Sequence, residues 1–178
     1  MHAPEKDSSI PTINAEKLAE YDVRSLSATH FLCQSFVGDI SLTSLPQAFL
    51  LGIPTRYGNF PAQWKTFWDT TGKQWASGGY WGKYAGLFLS TASMGGGQES
   101  TALASMSTLS HHGIIYVPFG YAKAFGELTA LDELRGGGPW GAGTIAGGSG
   151  ERQPSERELF LAKTQGKAFW ETVSKVSF

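Results

Sequence analysis

The chain has 178 residues, a length suited to one domain with a core of useful size. A formal net charge of -1 gives neither nucleic acid nor an anionic membrane an electrostatic handle. One cysteine, Cys33, excludes an internal disulfide and any multi-cysteine metal site, and no stretch approaches the roughly 20 apolar residues of a membrane span.

These totals lead to the expectation of a reducing, cytoplasmic setting. Charged residues make up only 16%, against about 25% in an ordinary soluble domain. With 6 Trp and 11 Phe, that leaves a charge-poor surface, which burial in a homo-oligomer would explain and which a glycine-rich chain (Gly 23) explains equally.

The lead-in from Met1 to Pro11 is polar and contains proline, so an extended segment is expected. Asn14 is placed to cap a short helix through Glu20. From Ala48 to Ile53 the chain is continuously apolar and is closed by Pro54, the pattern of a strand buried on both faces. The polar loop Thr55-Arg56-Tyr57-Gly58-Asn59 follows. A helix then starts near Pro61, carries Trp64, Phe67 and Trp68 on one face, and is expected to end at Gly72. Tyr84 to Leu89 is a second buried strand, which empties into Ser90-Thr91-Ala92-Ser93-Met94-Gly95-Gly96-Gly97. A helix from Gln98 to His112 stops at Gly113. Ile114 to Val117 reads as a third buried strand. Gly120 to Gly150 is expected to be irregular apart from Thr144-Ile145-Ala146. The last helix opens on a capping box, Ser155 with Glu158, and shows a face of Leu159, Ala162, Phe169, Trp170, Val173 and Val176.

Repeated strand, loop and helix mean parallel strands with crossover helices, an α/β doubly wound sheet. Ligands of such sheets sit outside the carboxyl ends of the strands, where both polar loops emerge. The loop from Ser90 to Gly97 offers hydroxyls, unhindered backbone N–H groups and the positive end of the next helix. It suits an acceptor-rich planar ring or a phosphate, and equally a plain connection. Gly72-Lys73 lacks the preceding glycine and following hydroxyl of a phosphate-binding Walker loop, no G-x-G-x-x-G opens a helix after a strand, and G-x-S-x-G does not occur. His111 and His112 are adjacent, so on a helix they diverge by about 100 degrees and cannot share a metal. A histidine at that helix end equally suits a purely electrostatic role against the negative end of the dipole. Trp75 and Trp81 fall in a glycine-rich stretch, free to roof a flat ligand or to cover the core.

Four separated segments resemble the WrbA family of flavodoxin-like, FMN-dependent NAD(P)H:quinone oxidoreductases, its fungal members above all. They are Gly52-Ile53-Pro54-Thr55-Arg56-Tyr57-Gly58-Asn59; Ser90-Thr91 with Gly95-Gly96-Gly97-Gln98-Glu99; His111-His112-Gly113; and Thr144-Ile145-Ala146-Gly147 with Arg152-Gln153-Pro154-Ser155. The resemblance implies a 2-1-3-4-5 parallel sheet with FMN at the carboxyl ends of the strands, NADH or NADPH as co-substrate, and no metal. Thr55, Arg56 and Tyr57, with Gly58 and Asn59 beside them, would line the flavin ring. Ser90, Thr91, Ala92, Ser93, Met94, Gly95 and Gly96 would wrap its edge with backbone donors. His111 would approach the ring and Trp75 would stack on the substrate side. Ala92 and Ser93 stand where the family has Gly-Thr, which raises the question of the loop's backbone angles. The implied activity is two-electron reduction of quinones in oxidative-stress protection, by a dimer or tetramer in the cytoplasm or at the plasma membrane's edge. The rival from another class is a flavodoxin-like scaffold that has lost FMN. A true flavodoxin carrier would be strongly acidic.

Relative to the family, no first strand, phosphate loop or second strand is recognised before Ala48, so the whole chain, 1–178, reads as one incomplete flavodoxin-like domain. The family-like region runs from residue 48 to 178. The expectation is weak FMN binding and an open strand edge. Val23 to Gln47 interrupts the family pattern and reads as a translated intron, because valine codons begin GT and a glutamine codon can end AG. A lineage-specific surface loop is the other reading.

Overall fold

The computed structural model of the chain describes residues 47–177. The Met1–Pro11 lead-in, the Asn14–Glu20 helix, Cys33 and the Val23–Gln47 insert lie outside those residues, apart from Gln47 itself. Gln47 already belongs to the sheet. Its carbonyl accepts from the Tyr84 amide at 3.0 Å and its side chain from Lys83 Nζ at 2.9 Å.

Strand β1 (Ala48–Pro54) and strand β2 (Tyr84–Thr91) run parallel, in register from Ala48 opposite Tyr84 to Pro54 opposite Ser90. The apolar run through Ala48–Ile53 forms its strand because only a two-sided core satisfies it. Leu51, Ile53, Ala85, Leu87 and Leu89 point to one face, where they meet Trp64, Trp68, Ala102 and Leu109. Gly52 and Gly86 point to the other. Gly52 leaves room for the ring of Phe88, and Gly86 for Leu50 and Phe169, where a Cβ would come within 2.5 Å and 2.9 Å of its neighbour. Strand β2 is longer than the sequence suggests. Ser90 and Thr91 belong to it rather than to the loop, because they pair with a strand far along the chain.

Between these strands lie helix α1 (Ala62–Asp69) and helix α2 (Gly72–Ala76). Gly72 therefore opens a second helix instead of ending the first. The hydroxyls of Thr70 and Thr71 donate to Phe67 O at 2.6 Å and Trp68 O at 2.7 Å, which satisfies the carbonyls of the last turn of α1 and turns the chain. Trp75, expected in a loop, sits on α2. Helix α3 (Gln98–His111) ends as expected, with His112 as C-cap and Gly113 at φ 69.

The third buried strand expected at Ile114–Val117 shrinks to β3 (Ile115–Tyr116), whose Ile115 is exposed. The chain then leaves the sheet, forms the short helix α4 (Phe125–Thr129), and returns as β4 (Gly143–Ile145). Strand β3 pairs with Tyr84 and Ala85, and β4 with Leu89 to Thr91, both parallel to β2. All of those β2 residues but Thr91 already pair with β1 on their other side. So β3 and β4 are two pieces of one interrupted edge strand, and the excursion between them is folded onto its own small core of Phe119, Ala124, Leu128, Ala142 and Leu161.

Helix α5 (Glu156–Val173) begins with the expected capping box. Its buried stripe is Glu158, Leu161, Gln165, Phe169 and Val173, which shares only Phe169 and Val173 with the expected face. Leu159, Ala162 and Trp170 are exposed. The tertiary context decides this rotation: Gln165 fills a polar slot, its Oε1 accepting from Ala142 N at 2.8 Å and its Nε2 donating to Leu87 O at 2.7 Å. Helices α1 and α3 thus cover one face of the sheet and α5 the other. No helix among the described residues is long and apolar enough to cross a membrane.

Candidate functional site

Register alone brings the two polar loops together. Pro54 pairs with Ser90, so the segments that leave β1 and β2 emerge side by side at the carboxyl end of the sheet. The amide of Thr55 donates to Ser90 O at 2.8 Å, and the hydroxyls of Thr55 and Thr101 meet at 3.0 Å. Ser100 Oγ donates across to Gly58 O at 2.9 Å. The loops touch so closely that a Cβ on Gly97, which sits at φ 100, would lie 2.7 Å from the Cα of Gly58. Only glycine fits there.

The loop after β1 folds back on itself. Arg56 and Asn59 exchange both backbone hydrogen bonds, at 2.7 and 3.0 Å. This tight turn drives Tyr57 to φ 52, the one positive-φ residue other than glycine among those described, and leaves its ring fully exposed. Strain of this kind is held only where the surroundings enforce it.

The loop after β2 keeps Ala92 and Ser93 at negative φ, with the unusual angles falling on Gly95 and Gly97. The departure from Gly-Thr is therefore accommodated without strain. Ala92, Ser93, Met94 and Gly95 offer backbone N–H groups that have no partner among the described residues. Behind them lies the N-terminus of α3, whose dipole adds positive potential. The donor set is rich in N–H and hydroxyl groups. That chemistry suits the acceptor-rich edge of a flavin ring, and Gly97 and Gly58 let the two loops that carry it meet in direct contact.

A third segment flanks the second. Ala146 N donates to Thr91 O at 2.8 Å and Gly147 N to Ala92 O at 3.0 Å. Two side chains hold this segment in a role that sequence reasoning did not assign them. Glu158, buried and acidic, accepts from Gly136 N (2.8 Å), Ser155 N (2.8 Å), Thr144 Oγ1 (3.0 Å), Ile145 N (3.3 Å) and Arg152 (2.9 Å). Burial pushes its carboxyl up. The hydrogen bonds from Gly136, Ser155, Arg152 and Thr144 outweigh that, and the group sits below its usual value. Gln98 is the other, its amide held between the 90–97 loop and Gly137.

His111 and Trp75 stand elsewhere. His111 closes α3, so its 14 residues put it about 20 Å along the axis from the loops. Trp75 Nε1 donates to His111 O at 2.8 Å, and the two form a single exposed pair at the amino end of the sheet. His112 is structural in kind. Its ring contacts Thr71 Oγ1 at 2.8 Å and Thr108 O at 2.9 Å, and packs on Trp68 and Tyr80. Within one chain the structure gathers the Thr55–Asn59 and Ser90–Gly96 residues and leaves His111 and Trp75 apart from them. A cavity of about 200 Å³ lies between Val117–Phe119 and the second half of α5, and it shares no residue with these loops.

Three similarities bear on this arrangement. The chain is 54% identical over 176 residues to the minor allergen Alt a 7 of Alternaria alternata, covering 98% of this chain and 74% of that protein. It is 49% identical over 175 residues to the NAD(P)H quinone oxidoreductase PST1 of Candida albicans, again covering 98% and 74%. In three dimensions it resembles a flavodoxin, WrbA-like protein from Agrobacterium tumefaciens, with a TM-score of 0.52 at 22% identity over 74% of this chain and 68% of the other. That likeness fixes the fold as flavodoxin-like α/β. No family model matches the chain.

Proposed function

This chain belongs to the flavodoxin-like family of WrbA-like proteins and fungal NAD(P)H quinone oxidoreductases, and from that premise we propose that it reduces quinones by two electrons, with NADH or NADPH as donor and FMN as its cofactor, in defence against oxidative stress. One observation carries the reading: the Thr55–Asn59 and Ser90–Gly97 loops leave neighbouring strands at the same end and are stapled into a single flat cradle. When bound there, FMN would supply the hydride relay between a nicotinamide and a quinone.

The chain's own residues do the rest. Thr55, Arg56 and Tyr57 form one wall, with Gly58 and Asn59 completing the turn. Ser90, Thr91, Ala92, Ser93, Met94, Gly95 and Gly96 form the other. The free N–H groups at 92–95 and the helix end behind them stabilise negative charge that develops on the ring edge. The exposed pair of His111 and Trp75 serves the cradle of a neighbouring subunit, since α3 separates it from its own. A homo-oligomer agrees with the low charge content and with exposed Trp75, Trp81, Leu103 and Trp170.

NADH or NADPH oxidation with benzoquinone as acceptor, with and without added FMN, tests this directly. FMN-dependent turnover is expected. Turnover that is absent at saturating FMN, in protein shown to be folded, sinks the proposal and leaves a non-catalytic scaffold in its place.

A further inference from the structure

The amide of Gln98 occupies a slot cut for it. A Cβ on Gly136 would lie 2.7 Å from its Nε2, and one on Gly143 would lie 2.7 Å from its Oε1. Oε1 accepts from Gly137 N at 2.7 Å, which fixes which end is which. Nε2 then spends both protons, on Thr144 O at 2.9 Å and Thr91 Oγ1 at 3.1 Å. With its lone pair engaged, the Thr91 hydroxyl points its single proton to Ser93 O at 3.0 Å, and the amide of Gly96 donates to the same carbonyl at 3.2 Å. The hydrogen bonds run one way, from Gly137 through Gln98 and Thr91 to Ser93.

That direction has a consequence at the next atom. No peptide bond among the described residues is cis. In a trans peptide the carbonyl of one residue and the N–H of the next point in opposite directions. Ser93 O is drawn inward by two donors, so the Met94 N–H is turned outward, away from Thr91 and Gly96. It is one of several N–H groups on this loop without a partner among the described residues.

We infer that Gln98 and Thr91 are positioning residues that hold the Met94 amide as a preset donor to the acceptor edge of the bound ring. Their side-chain hydrogen bonds stay within the protein, and their effect passes through one peptide plane. The inference rests on the FMN reading above and names the donor on which that reading depends most. A donor fixed before the ligand arrives costs no ordering on binding and is worth most where charge builds up.

Three variants of the full chain test it. Thr91→Val keeps the buried shape and removes the relay proton; Thr91→Ser keeps the proton. Gln98→Glu replaces the donor end with an acceptor, so the Thr91 proton turns toward the new carboxylate and leaves Ser93. Amide hydrogen exchange without flavin and FMN fluorescence quenching are measured on each. Exchange at Gly96 is expected to speed up in T91V and Q98E and to stay slow in T91S. FMN affinity is expected to fall by up to about tenfold in T91V, the upper end of what one neutral hydrogen bond carries, and to recover in T91S. Q98E is expected to regain affinity as acid neutralises the new carboxyl, a pH dependence that the parent protein lacks. If the parent binds FMN and T91V binds it as tightly, or if exchange at Gly96 does not change, the relay is wrong while the cradle stands. If the parent shows no quenching at all, the cradle and the relay both fail.

Discussion

Replacing Glu158 with Gln changes one atom and should unfold the third wall of the site. One carboxylate oxygen accepts from Gly136 N, Ile145 N and Arg152, and the other from Ser155 N, Thr144 Oγ1 and Arg152. An amide must present NH2 to one of these sets. Whichever way it turns, two or more buried donors face a donor, and Arg152 loses its ionic partner. Each orphaned donor costs about 1–3 kcal/mol, and breaking a buried ion pair about 3–5 kcal/mol, so a loss of roughly 3–5 kcal/mol is expected for the variant. For a domain of this size that is a fall of roughly 6–20 °C in Tm.

The pH dependence adds a second signature. The folded carboxyl sits below its usual value, so it contributes stability above the unfolded-state pKa and loses it as pH falls through the folded one. Chemical denaturation of both proteins between pH 7 and pH 3 checks the argument. The parent should lose stability toward the acid end and E158Q should lose less, the two curves converging. A variant within about 1 kcal/mol of the parent at pH 7, with an equal acid slope, would refute the idea that this one carboxylate holds the 134–155 segment.

Gly97→Ala forces a Cβ against Gly58 at an unfavourable φ, and a loss of at least about 1 kcal/mol in thermal unfolding, with FMN quenching abolished, is expected. Trp75→Phe deletes only the exposed bond to His111 O, so Tm should move by less than about 4 °C while quinone turnover drops; equal turnover would remove Trp75 from the mechanism. Mixing His111→Ala subunits with Gly97→Ala subunits should restore part of the activity that each lacks, as expected when one subunit's histidine serves its neighbour's cradle. Tyr116, which donates to Trp140 O, is pushed up to about 12 by burial, so it favours the fold below pH 10 and loses that contribution as pH rises through the folded value; Tyr116→Phe should cost about 0.5–1.5 kcal/mol at neutral pH and flatten the alkaline limb of a stability profile.

What was legible in the sequence followed from local chemistry. The runs at Ala48 and Tyr84 are apolar on every residue, so parallel strands were the one way to bury them, and the Ser155–Glu158 box announced α5. The two loops were placed at one end by the strand-loop-helix order alone. The face of α5 was misjudged because two of its five buried positions are polar. Glu158 was assigned only to the capping box and Gln165 to no face, and their buried roles emerge once one asks which groups satisfy the bare N–H groups of Gly136 and Ala142 in a segment with little ladder of its own. That question was open to sequence reasoning: a glycine-rich return beside a helix with buried Glu and Gln calls for side-chain acceptors. Gln98 escaped for the same reason, filed with the helix it begins. The split of the edge strand into β3 and β4 had no local signal, because it depends on the pairing of Ile115 and Gly143 with opposite ends of one long neighbour.

A fluorescence titration with FMN and with lumiflavin, the same ring without ribityl phosphate, goes to the heart of the account. If two loops from adjacent strands grip a flat heterocycle, as proposed, both compounds should be quenched by the parent protein and neither by Gly97→Ala. Lumiflavin left as bright as in buffer, with folded parent protein in excess, would mean that the loops meet without forming a ring site.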